Sequence, residues 1–131
     1  MIDVVKFMQA KYKLYGRDLA TGVDCLGLSI CVAAECGIEI PDGKNYTPDT
    51  CSSAIREGLD RFKPEKIFRN RLEVRTGDLI LLSMKATSDH VGVALDDSQF
   101  VTIFNSCGVA ILDINTWMKH VENFVRYPGR R

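Results

Sequence analysis

Two side chains, one cysteine and one histidine, could together perform nucleophilic chemistry. Asp24 can cap a helix with its carboxylate, and the apolar residues after Cys25 recur at helical spacing, so Cys25 is predicted to begin a helix. Backbone amides at a helix start favour negative charge, and therefore favour the thiolate, which is the nucleophilic form of cysteine. His90 opens a predicted strand, where an imidazole can be held as a general base. The pair indicates a thiol hydrolase.

The remaining cysteines and the second histidine have no comparable setting. His120 lies on a late predicted helix and is expected to be exposed. Taken alone, a helix-start cysteine can also be a small buried hydrophobe, and a strand-start histidine can be a solvated surface residue. Cys31 and Cys51 are expected in the core. Cys36 is expected at a helix end, and Cys107 in a turn.

Composition and charge argue against several other classes of function. The 131 residues carry 17 basic and 17 acidic side chains, so no strong electrostatic field favours nucleic acid. The apolar stretches are too short for a membrane span, and Met1–Tyr15 lacks the apolar segment of a signal peptide. A single domain over residues 1–131, made in a cytoplasm with free thiols, is predicted. The cysteine and histidine spacings do not match a metal site, so neither a metal nor another cofactor is expected.

Helical periodicity dominates the first part of the chain. One helix is predicted from Ile2 to about Tyr12, a second from Asp24 to a stop at Gly37, and a third from Thr47, with Pro48 in its first turn. The predicted buried faces are Ile2, Val5 and Met8 in the first helix, Leu28 and Val32 in the second, and Cys51, Ile55, Leu59 and Phe62 in the third.

Short apolar runs separated by turns dominate the second part. A last short helix is predicted over Asn115–His120, with Trp117 packed inward. Helices that precede strands favour an α+β domain, with helices packed on one face of an antiparallel sheet. The predicted strands are Leu79–Leu82, His90–Leu95, Phe100–Phe104, Val109–Leu112 and, at the edge of the sheet, Phe124–Tyr127.

Three motifs in a fixed order resemble the NlpC-like cysteine peptidases. They are Gly22–Leu28 (GVDCLGL) around the cysteine, Arg75–Ile80 (RTGDLI) before a strand, and His90–Val93 (HVGV) on the histidine strand. The resemblance covers roughly Tyr12 to Leu112. Leu26, where many members have serine, is similar to the phage-tail and gene-transfer-agent branch.

The resemblance implies a papain-like fold and a cysteine peptidase that cuts the stem peptides of bacterial peptidoglycan. In that family the thiolate attacks the carbonyl group, the histidine transfers the proton and a third polar residue orients the imidazole. Tyr12 or Tyr15, together with Asp24, is then expected to bind the substrate and to line the pocket for its amine. The resemblance also implies a phage or prophage origin, with the virion as a possible location and tail proteins as partners.

Two residues are candidates for the group that orients His90. Thr102 occupies the family's position, and a three-residue turn between the two strands puts it diagonally beside His90. A two-residue turn at Asp97-Ser98 instead puts Asn105 directly across from His90. Because Thr102 carries no charge, a catalytically weak or inactive module with a structural or tail-assembly role is the alternative function. An amidase or acyl transferase acting on another small amide is a third.

The absence of a disulfide can be tested by counting thiols. Synthesis in a reducing compartment predicts that all five cysteines of the denatured, unreduced protein react with a chromogenic disulfide reagent. Protein reduced before denaturation provides the reference count. A count of three or fewer in the unreduced sample would contradict the prediction.

Overall fold

The computed structural model describes residues 2–43, 46–47, 50, 53–59, 62–83 and 89–129. Among the helices in these ranges, none combines the length and the hydrophobicity needed to cross a membrane. The helices are α1 (Cys25–Glu35), α2 (Ser53–Gly58) and α3 (Ile114–Trp117), with 3-10 turns at Val5–Phe7, Arg71–Glu73 and Met118–His120. The strands are β1 (Arg17–Asp18), β2 (Gly22–Val23), β3 (Lys66–Phe68), β4 (Leu79–Ser83), β5 (Asp89–Ala94), β6 (Gln99–Phe104), β7 (Gly108–Asp113) and β8 (Val121–Arg126).

Six strands form one antiparallel sheet in the order β3-β8-β4-β5-β6-β7. The two short strands β1 and β2 pair with each other just before α1. Helix α1 packs on β5 and β6, near the middle of the sheet. This arrangement of an early helix on an antiparallel sheet confirms the predicted α+β class.

Both faces of the sheet are buried. Leu28 and Val32 of α1 have no exposed surface, as predicted, and they share one core with Val91 and Val93 of β5. A second, smaller core lies on the other face and includes Phe100. Burial on both faces explains why the central strands are continuous apolar runs rather than alternating ones.

The predicted N-terminal helix is wrong. Only one 3-10 turn forms there, at Val5–Phe7, and two residues of the predicted buried face are exposed, Val5 by 73% and Met8 by 40%. The core contacts come from Phe7 and Ala10 instead. A helix of about ten residues is marginal without tertiary support, and packing of Phe7 selects a different face.

Helix α2 is shorter than the third predicted helix. Ile55 is fully buried in the core, as predicted, while Leu59 and Phe62 follow the helix and pack against the core from its margin. Thr47, the predicted start, is not helical. Outside the described residues lie Pro48 and Cys51 of this prediction, and residues 85–88 of the polar stretch before His90.

The predicted C-terminal edge strand is an interior strand. Strand β8 lies between β3 and β4, and β3 takes the edge position. Sequence patterns missed β3 because it has only three residues, of which Ile67 is 49% exposed. The predicted last helix divides into α3 and a 3-10 turn, and Trp117 is partly buried against the second core.

A buried ion pair joins β8 to the beginning of β4. The Arg126 guanidinium donates to both carboxylate oxygens of Asp78, at 2.9 and 2.7 Å. The hydrogen bond to Asp78 raises the pKa of Arg126, although burial opposes the shift. Asp78 also accepts from the backbone N–H of Arg75 across the turn at Gly77, whose φ is 91°. The Gly-Asp motif therefore builds the turn that starts β4 and anchors it to β8.

Truncation of Leu28 should test the packing of α1 on the sheet. Because Leu28 is fully buried, Leu28→Ala is expected to lower the free energy of unfolding by about 2–5 kcal/mol. Urea unfolding followed by circular dichroism measures the change. Leu72→Ala is the matched control, since Leu72 is 77% exposed and its truncation should change stability by less than about 0.5 kcal/mol. Equal effects of the two substitutions would contradict this packing.

Candidate active site

The start of α1 is fixed by a buried carboxylate. Asp24 is the N-cap residue, and one of its carboxylate oxygens accepts a hydrogen bond from the backbone N–H of Gly27 at 2.8 Å. The other oxygen accepts from the backbone N–H of Tyr15 at 2.9 Å. Asp24 has no exposed surface. The predicted capping role of Asp24 is confirmed, and Cys25 is the first residue of the helix.

Two further side chains complete the environment of Asp24. Arg17 approaches one carboxylate oxygen through Nη1 at 3.2 Å, and the Tyr46 hydroxyl donates to the other. Arg17 also donates to the Tyr46 hydroxyl at 3.0 Å. Burial and the hydrogen bond to Asp24 raise the pKa of Tyr46, while hydrogen bonds to Tyr46 and Asp42 raise the pKa of Arg17 against its burial. Sequence reasoning missed Arg17 and Tyr46 because no pattern links them to Asp24.

Both candidate tyrosines lie beside the start of α1. Tyr12 forms a parallel bridge with Val23, two residues before Cys25, and is partly buried. Tyr15 adopts a positive φ of 62°, stacks edge-on against Tyr46 with ring centroids 5.0 Å apart, and donates its hydroxyl to the Tyr46 carbonyl. The structure therefore places Tyr12, Tyr15 and Asp24 at one end of α1.

The Cys25 side chain belongs to the core between α1 and the sheet. Cys25 has no exposed surface, and it shares the core cluster with Val91 of β5 and Ile103 of β6. Its carbonyl accepts a hydrogen bond from the Ser29 hydroxyl one turn later, at 2.7 Å. Strand β5 also carries His90, and β6 carries Thr102. Helix α1 is therefore packed on the two strands that hold the predicted partners of Cys25.

His90 is held by β6. Its imidazole is 7% exposed, stacks on the Phe104 ring at 4.8 Å, and has Nε2 2.9 Å from the backbone carbonyl oxygen of Ile103. A carbonyl oxygen only accepts hydrogen bonds, so Nε2 carries the proton in this arrangement. The neutral ring therefore presents its lone pair at Nδ1, which is the atom available to take a proton.

Electrostatics link His90 to the start of α1. Burial lowers the pKa of His90, whereas the hydrogen bond to Ile103 and the negative charge of Asp24 raise it, and burial prevails. Asp24 at the N-cap of α1 therefore acts electrostatically on the histidine at the beginning of β5. The imidazole is consequently neutral at neutral pH, as a general base must be.

The turn between β5 and β6 decides between the two predicted orienting residues. A hydrogen bond from the Leu95 N–H to the Gln99 carbonyl, at 2.8 Å, closes a three-residue turn. This is the register that puts Thr102 diagonally beside His90. Asn105 lies in the turn after β6 and is exposed.

Neither predicted side chain supplies the hydrogen bond to the imidazole. The Thr102 hydroxyl donates to the Val91 carbonyl at 2.8 Å, and the Ile103 carbonyl oxygen takes the position expected for a side-chain oxygen. The expectation that Thr102 or Asn105 binds His90 directly is corrected accordingly. Sequence patterns give no signal for this contact, because every residue carries a backbone carbonyl group.

His120 and the other cysteines that the structure describes have surroundings of their own. His120 contacts Trp117, with ring centroids 5.4 Å apart. Within the described ranges, no group of three histidine, cysteine or acidic side chains is arranged to hold a metal ion. Among the cysteines that the structure describes, which are Cys25, Cys31, Cys36 and Cys107, none forms a disulfide bond.

The order and geometry of these motifs agree with a comparison against protein families. The NlpC/P60 family profile matches residues 9–126. The chain belongs to the NlpC/P60 family. Among curated proteins, this NlpC/P60 chain is 30% identical over 123 residues to the murein DD-endopeptidase MepS/murein LD-carboxypeptidase of Escherichia coli K12, and the same match is found in strains O6:H1 and O157:H7. The match covers 92% of the chain but 57% of the length of that relative.

Solved structures of the family share the fold. An NLP/P60 lipoprotein-like protein of Staphylococcus aureus matches with a TM-score of 0.62 and 22% identity, covering 94% of this chain and 38% of that one. The NlpC/p60 domain of the peptidoglycan hydrolase SagA matches with a TM-score of 0.62 and 19% identity, covering 92% and 89%. A Bacillus cereus NlpC/P60 protein gives 0.63 and 20%, covering 92% and 36%. These matches confirm the predicted papain-like, NlpC-type fold.

Burial of neutral His90 predicts a specific dependence of stability on pH. The folded protein binds a proton at His90 less readily than the unfolded chain, whose histidine pKa is about 6.5, so stability should fall as the pH drops through that value. Chemical unfolding at several pH values between about 7.5 and 5.5 measures the slope. His90→Gln should flatten this slope. An identical slope for wild type and His90→Gln would contradict the prediction.

Proposed function

We propose that this chain is a cysteine peptidase that hydrolyses peptide bonds in the stem peptides of peptidoglycan. Cys25 is the nucleophile, and His90 is the general base and acid. The observation that carries the proposal is the buried imidazole of His90, on the strand against which α1 packs. It is held through Nε2 by the Ile103 carbonyl, and the charge of Asp24 at the N-cap of α1 acts on it. The family membership and the likeness to MepS support peptidoglycan as the substrate.

The reaction begins with transfer of the thiol proton of Cys25 to Nδ1 of His90. The thiolate attacks the carbonyl carbon of the scissile amide, and the negative charge moves to the carbonyl oxygen. The partial positive charge at the start of α1 is suited to stabilise this oxyanion. The tetrahedral intermediate collapses as the imidazolium gives its proton to the leaving amine, which departs and leaves a thioester on Cys25.

Hydrolysis of the thioester reverses the proton transfers. His90 takes a proton from a water molecule, whose oxygen attacks the thioester carbonyl. The new intermediate expels the Cys25 thiolate, which takes the proton back from the imidazolium, and the carboxylic acid product leaves. Because the imidazole accepts and donates one proton in each half of the reaction, a fixed Nε2–H serves both halves.

The substrate-binding role of Tyr12, Tyr15 and Asp24 belongs to the same proposal. Tyr15 is 38% exposed beside the N-cap of α1, so its ring has a free surface at the site. Asp24 is buried and bonded to Arg17 and Tyr46, so its charge acts on a substrate amine from beneath the surface. This arrangement suits a cationic group next to the scissile bond.

The phage-tail and gene-transfer-agent assignment stays a prediction. It depends on Leu26, which is fully buried, and the relatives named above lend it no support. Phage origin, tail proteins as partners and a virion location remain predictions as well. Synthesis in a cytoplasm and a single domain over the whole chain are predictions too.

A non-catalytic module is the second candidate, and the burial of the nucleophile favours it. Cys25 has no exposed surface, so a substrate carbonyl reaches the sulfur only if neighbouring groups move. His90 also donates its hydrogen bond to a backbone carbonyl oxygen, in place of a charged side chain. A module that keeps this fold for binding or assembly would share both features.

Substitution of Cys25 separates the two candidates. Cys25→Ala should abolish release of peptide fragments from purified peptidoglycan, because it removes the nucleophile. The fold should survive, with a loss of stability of about 1–2 kcal/mol. Chromatography of the digest measures the activity, and Cys107→Ala is the control because Cys107 is exposed in a turn and should keep full activity.

The labelling rate of the thiol provides the second readout. An activated Cys25 should react with iodoacetamide faster than Cys107 below pH about 7, where ordinary thiols are protonated. A wild-type protein that cleaves none of several peptidoglycan types, and that labels at Cys25 no faster than at Cys107, would replace the peptidase with the binding module.

A further inference from the structure

The ladder between β5 and β6 stops near the candidate site. The two strands pair at Ala94↔Phe100 and Val93↔Val101, and no further pair forms between them among the described residues. Each strand nevertheless continues on its other side. Strand β5 stays paired with β4 as far as Asp89, and β6 stays paired with β7 as far as Phe104. The sheet therefore divides between β5 and β6 at the end that carries His90.

Two side chains occupy the acceptors that the ladder leaves open. Hydrogen-bonded pairs alternate along antiparallel strands, and the bond between Leu95 and Gln99 sets the phase. The next hydrogen-bonded pair after Val93↔Val101 would join Val91 and Ile103, each carbonyl accepting from the other residue's N–H. Here the Val91 carbonyl accepts from the Thr102 hydroxyl at 2.8 Å. The Ile103 carbonyl oxygen lies 2.9 Å from Nε2 of His90.

We propose that Thr102 is a positioning residue, whose hydroxyl replaces a ladder bond and thereby leaves the Ile103 carbonyl to His90. The inference rests on the proposed function of His90 as the general base. Thr102 acts through the backbone, because its hydroxyl donates to the Val91 carbonyl and not to the imidazole. Thr102 occupies the family position for an orienting side chain, and in this proposal it orients His90 indirectly, through the Ile103 carbonyl.

Burial explains why the hydroxyl matters. Thr102 has no exposed surface, and His90 has almost none, so water cannot replace a lost partner cheaply. Without the hydroxyl, the Val91 carbonyl would be buried and unsatisfied. The nearest remedy is closure of the ladder, in which the N–H of Ile103 donates to Val91 and the N–H of Val91 donates to Ile103. Closure would take the Ile103 carbonyl away from Nε2 of His90.

Two substitutions at Thr102 isolate the hydroxyl. Thr102→Val keeps the shape of the side chain and removes the donor, whereas Thr102→Ser keeps the donor and removes a methyl group. Nitrogen-15 NMR of histidine-labelled protein reports which ring nitrogen of His90 carries the proton. Wild type and Thr102→Ser should show a single Nε2–H form, and Thr102→Val should show a mixture of the two tautomers.

Kinetics on peptidoglycan fragments provide the second readout. Thr102→Val should lower kcat about tenfold, the size of one hydrogen bond, with little change in KM. Thr102→Ser should restore kcat to near the wild-type value. A purely structural role for Thr102 would lower stability without changing the tautomer of His90.

The possible results separate this inference from the proposed function. A change of tautomer in Thr102→Val that serine reverses supports the positioning role, even if wild type hydrolyses nothing and the peptidase proposal fails. An unchanged Nε2–H form in folded Thr102→Val overturns the positioning role, even if wild type is an active peptidase. The role is also overturned if Thr102→Ser matches Thr102→Val in both tautomer and kcat.

Discussion

The buried carboxylate of Asp24 is the constraint on which the rest of the site depends. A carboxylate without exposed surface must be matched by donors, and Asp24 collects them from its own helix, from the Tyr15 backbone, and from Arg17 and Tyr46. Those donors come from three separate parts of the chain. Satisfying one charge therefore fixes the first turn of α1, the hairpin before it and the position of Tyr46. Cys25 is positioned by the same hydrogen bonds, because it is the first residue of the helix that Asp24 caps.

The sheet supplies the second half of the site by dividing. Most of its strands pair along their whole length, and β5 and β6 part at the end next to α1. A fully closed ladder would use every carbonyl for backbone pairing. Parting the strands releases one carbonyl oxygen, that of Ile103, as a fixed acceptor for His90. Such an acceptor is as rigid as the sheet, and its position does not depend on a side-chain rotamer, which suits it to hold an imidazole in one tautomer.

The two halves meet through electrostatics as well as packing. The imidazole is buried enough to stay neutral, and the negative charge at the α1 N-cap opposes that effect without overcoming it. The proposed reaction uses His90 first as a base and then as an acid. Opposing effects on the pKa of one imidazole suit both roles. The NlpC/P60 membership of the chain fits this arrangement, since the family profile covers both the helix that begins at Cys25 and the strand that carries His90.

Some of this structure was determined by the sequence alone, because the relevant signals are local. The helical spacing of Leu28 and Val32, the cap at Asp24 and the apolar strands are properties of short segments, and they predicted α1 and the central sheet correctly. The N-terminal helix and the edge position of β8 were predicted wrongly, since each depends on which distant element a segment packs against. Only the tertiary structure decided which oxygen holds His90. Every residue carries a carbonyl group, and the one that becomes available is selected by where two strands stop pairing.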